Sequence, residues 1–275
     1  STSSPQGFIR MIGEGTQSIG VDSGSSTMTY QLLSLVIDSS PLTVELGTDV
    51  SITKGLSVPN GTLALQGNNV FHSGLTIDNI NTSTPFTSTG GIIQVEDGAS
   101  VEIDAPGATL PPLTVTGNST ATITGIASSG ETLTFEGDLT VADGSTFDLG
   151  TINSSPVVID GTVDIDGTLE LSGSNDVDDN TGLEIAGDFL VDATTGSFSV
   201  FGDNIVLNGS SAQTVGGAGE RGLDFADLTI NNTNGVTFGL NTSGRFVVNR
   251  ALLLDNGDLD TNGFLTVGFF RDATN

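Results

Sequence analysis

The sequence predicts an all-β protein folded as a parallel β-solenoid. Three observations carry this: strict period-two alternation, a recurring unit anchored on glycine, and no convincing helical stretch between the units. The alternation is plainest in 157–171, VVIDGTVDIDGTLEL, where Val157, Ile159, Val163, Ile165, Leu169 and Leu171 alternate with Asp160, Thr162, Asp164, Asp166, Thr168 and Glu170. An extended strand sends successive side chains to opposite faces, so this stretch has one aliphatic face and one acidic, hydroxylated face. Asp-Gly pairs mark where the chain turns. Such a piece buries its apolar face only against similar pieces above and below it, which is the condition of a repeat architecture.

From the N-terminus, residues 1–40 are the least regular and read as a cap or assembly segment. The start Ser1-Thr2-Ser3-Ser4-Pro5 has the look of a processed or excised end. Tyr30–Ile37 (YQLLSLVI) is either a strand buried on both sides or a short capping helix; its β-branched content and the stop at Ser39-Ser40-Pro41 favour the strand. From Pro41 onward, apolar pairs at i, i+2 recur: Leu63-Leu65, Leu75-Ile77, Ile93-Val95, Val101-Ile103, Leu113-Val115, Leu133-Phe135, Leu139-Val141 and Phe147-Leu149. Units beginning at Gly91, Gly137, Gly161 and Gly187 share the form Gly, apolar, any, Val or Ile, polar turn, second strand. Their spacing gives coils of about 20–26 residues. The whole chain, 1–275, is then one solenoid domain of roughly a dozen coils, about 55–60 Å long at about 4.8 Å per rung.

Charge excludes several functions. The chain has 33 acidic and 6 basic residues, a net charge of -27, and no Lys or Arg from Gly55 through Glu220. Nucleic acid binding needs cation clusters on the phosphate backbone, so it is excluded, and anionic membranes and phosphate-bearing substrates are disfavoured. Disorder is opposed by a charged fraction of only 14% beside 36% hydrophobic residues arranged in alternation. No apolar run is long enough to span a membrane as a helix. With no Cys, disulfides and thiolate chemistry are absent.

Catalytic constellations are weak. His72 is the one histidine and has no Gly-x-Ser-x-Gly elbow beside it, so it reads as a surface or turn residue. Asp164 and Asp166, two apart on the outward face, could serve glycoside hydrolysis, but acidic residues are everywhere and cations to meet an acidic sugar are missing. The chain is therefore read as a non-enzyme with no catalytic residue. The loop Asn175-Asp176-Val177-Asp178-Asp179-Asn180 offers a candidate calcium site at Asp176, Asp178 and Asp179, against a solvated insertion; no other cofactor is implied. Thr114-Val115-Thr116, Thr122-Ile123-Thr124 and Thr132-Leu133-Thr134 would form a short ladder suited to ice if they stacked.

Residues 207–268 carry a more specific pattern. LNGSSAQTVGG, FADLTINNTNGVTF and FVVNRALLLDNGDLDTNGFLTVG follow one another there. They resemble the repeat region of very large secreted surface proteins of Bacteroidota and related bacteria, in which a Leu-x-Gly…Gln-x-x-Gly piece precedes a Phe-x-x-Leu-x-Ile-Asn-Asn strand. The resemblance implies a β-helix rod in an extracellular adhesin or filament, with surface glycans as candidate ligands. It brings no catalytic residues.

The reading is thus a stiff, acidic rod at the bacterial cell surface. A polysaccharide-active β-helix enzyme and an ice-binding solenoid are the alternatives. Both ends are apolar, with Phe8, Ile9, Met11 and Ile12 at one and Phe264, Phe269 and Phe270 at the other, which suggests head-to-tail contact with further copies.

Overall fold

A computed structural model describes residues 8–20, 30–78, 80, 85–87, 90–124, 131–150, 156–171, 182–192, 195–200, 204–216, 223–239, 245–263 and 265–267. The described residues form strands and turns only, with no helix among them, and all strand pairs are parallel. The strands stack as a three-sided solenoid. Among the described residues, no helix is long and apolar enough to cross a membrane.

Each coil visits three sides in fixed order. The first side is one continuous ladder through 30–32, 50–52, Val70–His72, Ile93–Val95, Leu113–Val115, Leu139–Val141, Val163–Ile165, Phe189–Val191, Gln213–Gly216, Val236–Phe238 and Leu259–Asp260. The second runs from Phe8–Met11 through 34–37, 55–57, Thr76–Asp78, Ser100–Asp104, Thr120–Thr124, Thr146–Asp148 and Thr168–Leu171 to Ser197–Val200. Beyond it, 224–225, 246–248 and Leu265–Val267 take the same place in the coil order. The third side begins with Thr16–Ile19, 43–46, 62–64 and Phe86–Thr87. Its place passes to a second sheet from Thr109–Leu110 to 251–254.

The expected dozen coils are about nine to eleven turns among the described residues, a stack about 45–50 Å long. The step between rungs is wider than expected, from 19 residues (Phe246 to Leu265) to 29 (Thr168 to Ser197), because corner loops take up length without disturbing the stack. Tyr30–Ile37 is a strand, but one buried on a single face (Leu32, Leu35 and Ile37) rather than on both, and Ser39-Ser40-Pro41 does not end it. Tyr30–Leu46 is one bent strand covering all three sides, with pairing irregularities where it rounds the corners.

Inward columns fill the interior. Leu35, Leu56, Ile77 and Ile103 stack in register, as do Phe135, Ile159, Ile185, Leu207 and Ile230, all fully buried. Phenylalanines thicken the C-terminal half. Phe189, Phe198 and Phe225 form a cluster with ring centroids 5.1–6.3 Å apart, and Phe238 stacks on Phe246 at 4.1 Å. Such edge and offset contacts add about 0.5–1.5 kcal/mol each to the burial itself.

The glycines that define the repeat sit at one corner, between the third and first sides. A Cβ on Gly161 would lie 2.4 Å from the carbonyl carbon of Gly137, and one on Gly187 would lie 2.4 Å from that of Gly161. Backbones therefore stack there with no room for a side chain. At the next corner, Asp97 and Gly98 both take left-handed conformations (φ 63° and 70°), so an Asp-Gly pair turns the chain from the first side to the second.

Just past that corner, Ser119 and Ser145 occupy successive rungs, the Ser119 carbonyl accepting from the Thr146 N–H. Both are buried, and neither hydroxyl has a hydrogen-bond partner in the protein. An unsatisfied buried hydroxyl costs about 1–3 kcal/mol. Ser145→Ala is expected to raise stability by about 1 kcal/mol in urea unfolding, and a loss of similar size would show that the hydroxyl is satisfied in solution.

Candidate functional site

The outward positions of the first two sides form regular columns along the stack. On the second side, Ser100, Thr120, Thr146, Thr168 and Ser197 share one register position over five successive rungs. The adjacent position carries Thr76, Glu102, Thr122, Asp148 and Glu170. A hydroxyl column and a mostly acidic column therefore run side by side. Asp148 and Glu170 occupy neighbouring rungs, where like charges repel. The first side carries Gln94, Thr114, Thr140, Asp164 and Leu190 in register.

The three Thr-x-Thr steps do not stack. Thr114 lies on the first side, Thr122 and Thr124 on the second and Thr134 on the third, because successive strands travel around a coil rather than up it. Rungs repeat after a full coil, so the true hydroxyl column joins residues 20–29 apart in sequence. Alternation marked each of these residues as outward, but not which of them share a rung.

Asp164 points outward, half-buried, and Asp166 follows its strand in an exposed corner. Burial first, then the nearby Asp166, Asp138 and Asp192, push the Asp164 carboxyl above its ordinary range. Burial and Asp97 do the same to Glu96. Asp138 is already engaged, its Oδ1 accepting from the Thr162 N–H one coil on (2.8 Å). Among the described residues, no three His, Asp or Glu side chains gather as a metal site. The calcium candidates Asp176, Asp178 and Asp179 lie outside the described residues, as do Phe264, Phe269 and Phe270.

His72 is a turn residue but not a surface one. It is fully buried in an inward column between Ile52 and Val95. The Gly74 N–H donates to Nδ1 (3.1 Å), which makes Nε2 the protonated nitrogen, donating to the Thr76 carbonyl (3.0 Å). Burial pulls its pKa down to about 4. The folded state thus keeps His72 neutral where the unfolded chain, near 6.5, is protonated. Its stabilising contribution is complete above about pH 6.5 and is lost as pH falls towards 4. Between pH 7 and pH 4.5 this group alone should cost about 2–3 kcal/mol. Glu96 and Asp164 work in the opposite sense, since raised carboxyl pKa values favour the folded state on acidification. The clean measurement is therefore a comparison with His72→Leu, whose urea midpoint should fall less than the wild type's over this interval; equal slopes would mean that His72 titrates normally.

Buried amides, which alternation alone could not distinguish from surface ones, organise the coils around residue 213. Gln213 is buried at an inward position and donates to the carbonyls of Ile185 (3.0 Å) and Gly187 (2.5 Å). Its Oε1 accepts from the Gly209 N–H (2.9 Å) and from Asn232 Nδ2 (2.8 Å). Asn232 is also buried; it donates to the Ser211 carbonyl (2.6 Å) and accepts from the Asn234 N–H (2.8 Å). The Gly, Gln and Asn of the Leu-x-Gly…Gln-x-x-Gly and Ile-Asn-Asn pattern are thus one network that closes a corner across three coils. They hold the stack together.

Two ion pairs reinforce the ends. Arg10 pairs with Asp38, whose other oxygen accepts from Asn60 Nδ2 (2.8 Å); the Asn60 bond, then Arg10, hold the Asp38 carboxyl below its usual range. Arg250 pairs with Asp227, which also accepts from the Ala251 N–H (2.8 Å) where the last long strand rounds its corner.

Compared with known protein families, curated proteins and solved structures, the chain matches none.

Proposed function

We propose that this chain is a non-catalytic structural rod, a stiff acidic segment of an extracellular adhesin or filament at a bacterial cell surface. One observation carries the reading: a single parallel ladder continues from Tyr30 to Asp260, filled by aliphatic and aromatic side chains. Its distinctive buried polar groups, His72, Gln213 and Asn232, are spent on closing corners. Extension along such a stack strains many backbone hydrogen bonds together, and this suits a spacer. The acidic flanks favour solubility and keep parallel rods apart. Antibodies raised against the chain should label intact cells of its source. Labelling only after permeabilisation, or cleavage of any member of a polysaccharide panel, would overturn the reading.

A second reading, adsorption to ice, has the five-rung hydroxyl column of the second side in its favour. The neighbouring Glu102, Asp148 and Glu170 oppose it, because carboxylates hold their own hydration. Inhibition of ice recrystallisation that is lost in Thr146→Lys would favour it over the rod.

A further inference from the structure

We infer that Asn256-Gly257 is a site of spontaneous covalent modification, at which the Gly257 backbone nitrogen closes on the Asn256 side chain and converts it to aspartate or isoaspartate.

The chain has five Asn-Gly steps, at Asn60, Asn208, Asn234, Asn256 and Asn262. Glycine has no side chain to hinder ring closure, so these are the steps where the reaction is easiest. The glycine nitrogen gives up its proton to solvent and bonds to the asparagine Cγ. The Cγ–Nδ2 bond breaks, and Nδ2 leaves as ammonia. Water then opens the five-membered imide at either carbonyl. One opening gives aspartate; the other gives isoaspartate, whose main chain runs through Cβ and Cγ and is longer by one methylene. Water is the sole co-reactant.

The step needs a nitrogen free to lose its proton and a carboxamide free to turn. At Asn208 both are held: Nδ2 donates to Glu184 (2.8 Å) and the Gly209 N–H donates to the buried Gln213 (2.9 Å). At Asn234, Nδ2 donates to the Ser210 carbonyl (2.8 Å) and the Gly235 N–H to the Asn232 carbonyl (3.0 Å). At Asn262, Nδ2 donates to the Phe238 carbonyl (2.7 Å) and the Gly263 N–H to Thr261 Oγ1 (3.3 Å). Asn60 donates to Asp38, and a Cβ on Gly61 would lie 2.6 Å from the Ser39 carbonyl oxygen, so that backbone is enclosed.

Asn256 differs on both counts. It is exposed, and its Nδ2 donates only to side chains that can turn with it, Asn231 (2.7 Å) and Asp255 (3.4 Å). Gly257 stands past the end of Phe246–Asn256, at a left-handed corner (φ 93°), and among the described residues its N–H has no hydrogen-bond partner. Having to open even one hydrogen bond of ordinary net strength slows the other four steps about ten-fold.

The product alters the rung it sits on. Asn231 loses the donor it accepts from, and a new carboxylate joins exposed Asp255 and Asp258. Isoaspartate also lengthens the main chain beside the Asn256 carbonyl, which accepts from the Asn232 N–H (2.9 Å). The modification therefore loosens the corner between Phe246–Asn256 and Leu259–Asp260, while distant coils are unaffected.

The test is to age the full chain at body temperature and mildly alkaline pH, folded and in urea, and to map aspartate and isoaspartate by peptide mass spectrometry. In the folded chain Asn256 should convert at least about ten-fold faster than the other four, and in urea all five should convert at similar rates. Another Asn-Gly step that matches Asn256 in the folded chain overturns the inference, as does an Asn256 protected as well as Asn208. Hydrogen exchange reads the consequence. The Asn232 amide should exchange faster in aged wild type but not in equally aged Asn256→Gln, whose longer side chain closes the ring far more slowly. Equal opening in both would mean that ageing loosens the corner by another route.

Discussion

Gly187→Ala lowers the stability of the chain by about 3 kcal/mol in urea unfolding, the upper range for overpacking a close contact. The new Cβ would meet the carbonyl carbon and oxygen of Gly161 and the nitrogen of Thr162 at 2.4–2.5 Å, all backbone atoms that cannot rotate away. Relief requires the two coils to separate at that corner, where the Gly187 N–H donates to the Gly161 carbonyl. The comparison is Gly47→Ala. There the nearest atom to the added Cβ is 3.5 Å away, and the change should stay within about 1 kcal/mol of wild type, since the lost unfolded-state entropy of glycine works in its favour. Equal losses at the two positions would mean that the glycine corner is not the tight contact of the repeat.

Gln213→Leu is expected to cost about 3–4 kcal/mol, although leucine matches the apolar columns around it. The substitution removes two donors and one acceptor at once. It leaves the carbonyls of Ile185 and Gly187 and the N–H of Gly209 without the side chain that served them. Asn232 keeps its bond to the Ser211 carbonyl, so the damage should centre on the 185–187 and 209–213 corners. Hydrogen exchange should show these amides opening while 93–124 stays protected, because each coil touches only its neighbours. A neutral substitution would show that the amide network is dispensable.

Alternation was the strongest signal in the chain, and it correctly separated inward from outward residues in stretches such as Val163–Ile165 and Thr168–Leu171. The glycine alignment was also sound, since Gly137, Gly161 and Gly187 do recur at one corner. Three features escaped. Pro41 looked like a stop, but the strand bends through it. His72 read as a surface or turn residue because it stands alone beside the Ser73-Gly74 turn, whereas its ring closes that turn from inside. The Thr-x-Thr steps looked stackable because their spacing was nearly regular, yet that spacing is the distance between sides and not the distance between rungs.

The sequence by itself determined the fold class, the inward face of each strand and the acidic flanks, because these depend on side-chain period and composition, which are local. Only the tertiary structure decided which residues are vertical neighbours. The step between rungs varies from 19 to 29 residues, since corner loops lengthen freely without changing the distance between stacked strands. That free variation hides the hydroxyl column of Ser100, Thr120, Thr146, Thr168 and Ser197, and the Gln213–Asn232 network, until the coils are wound.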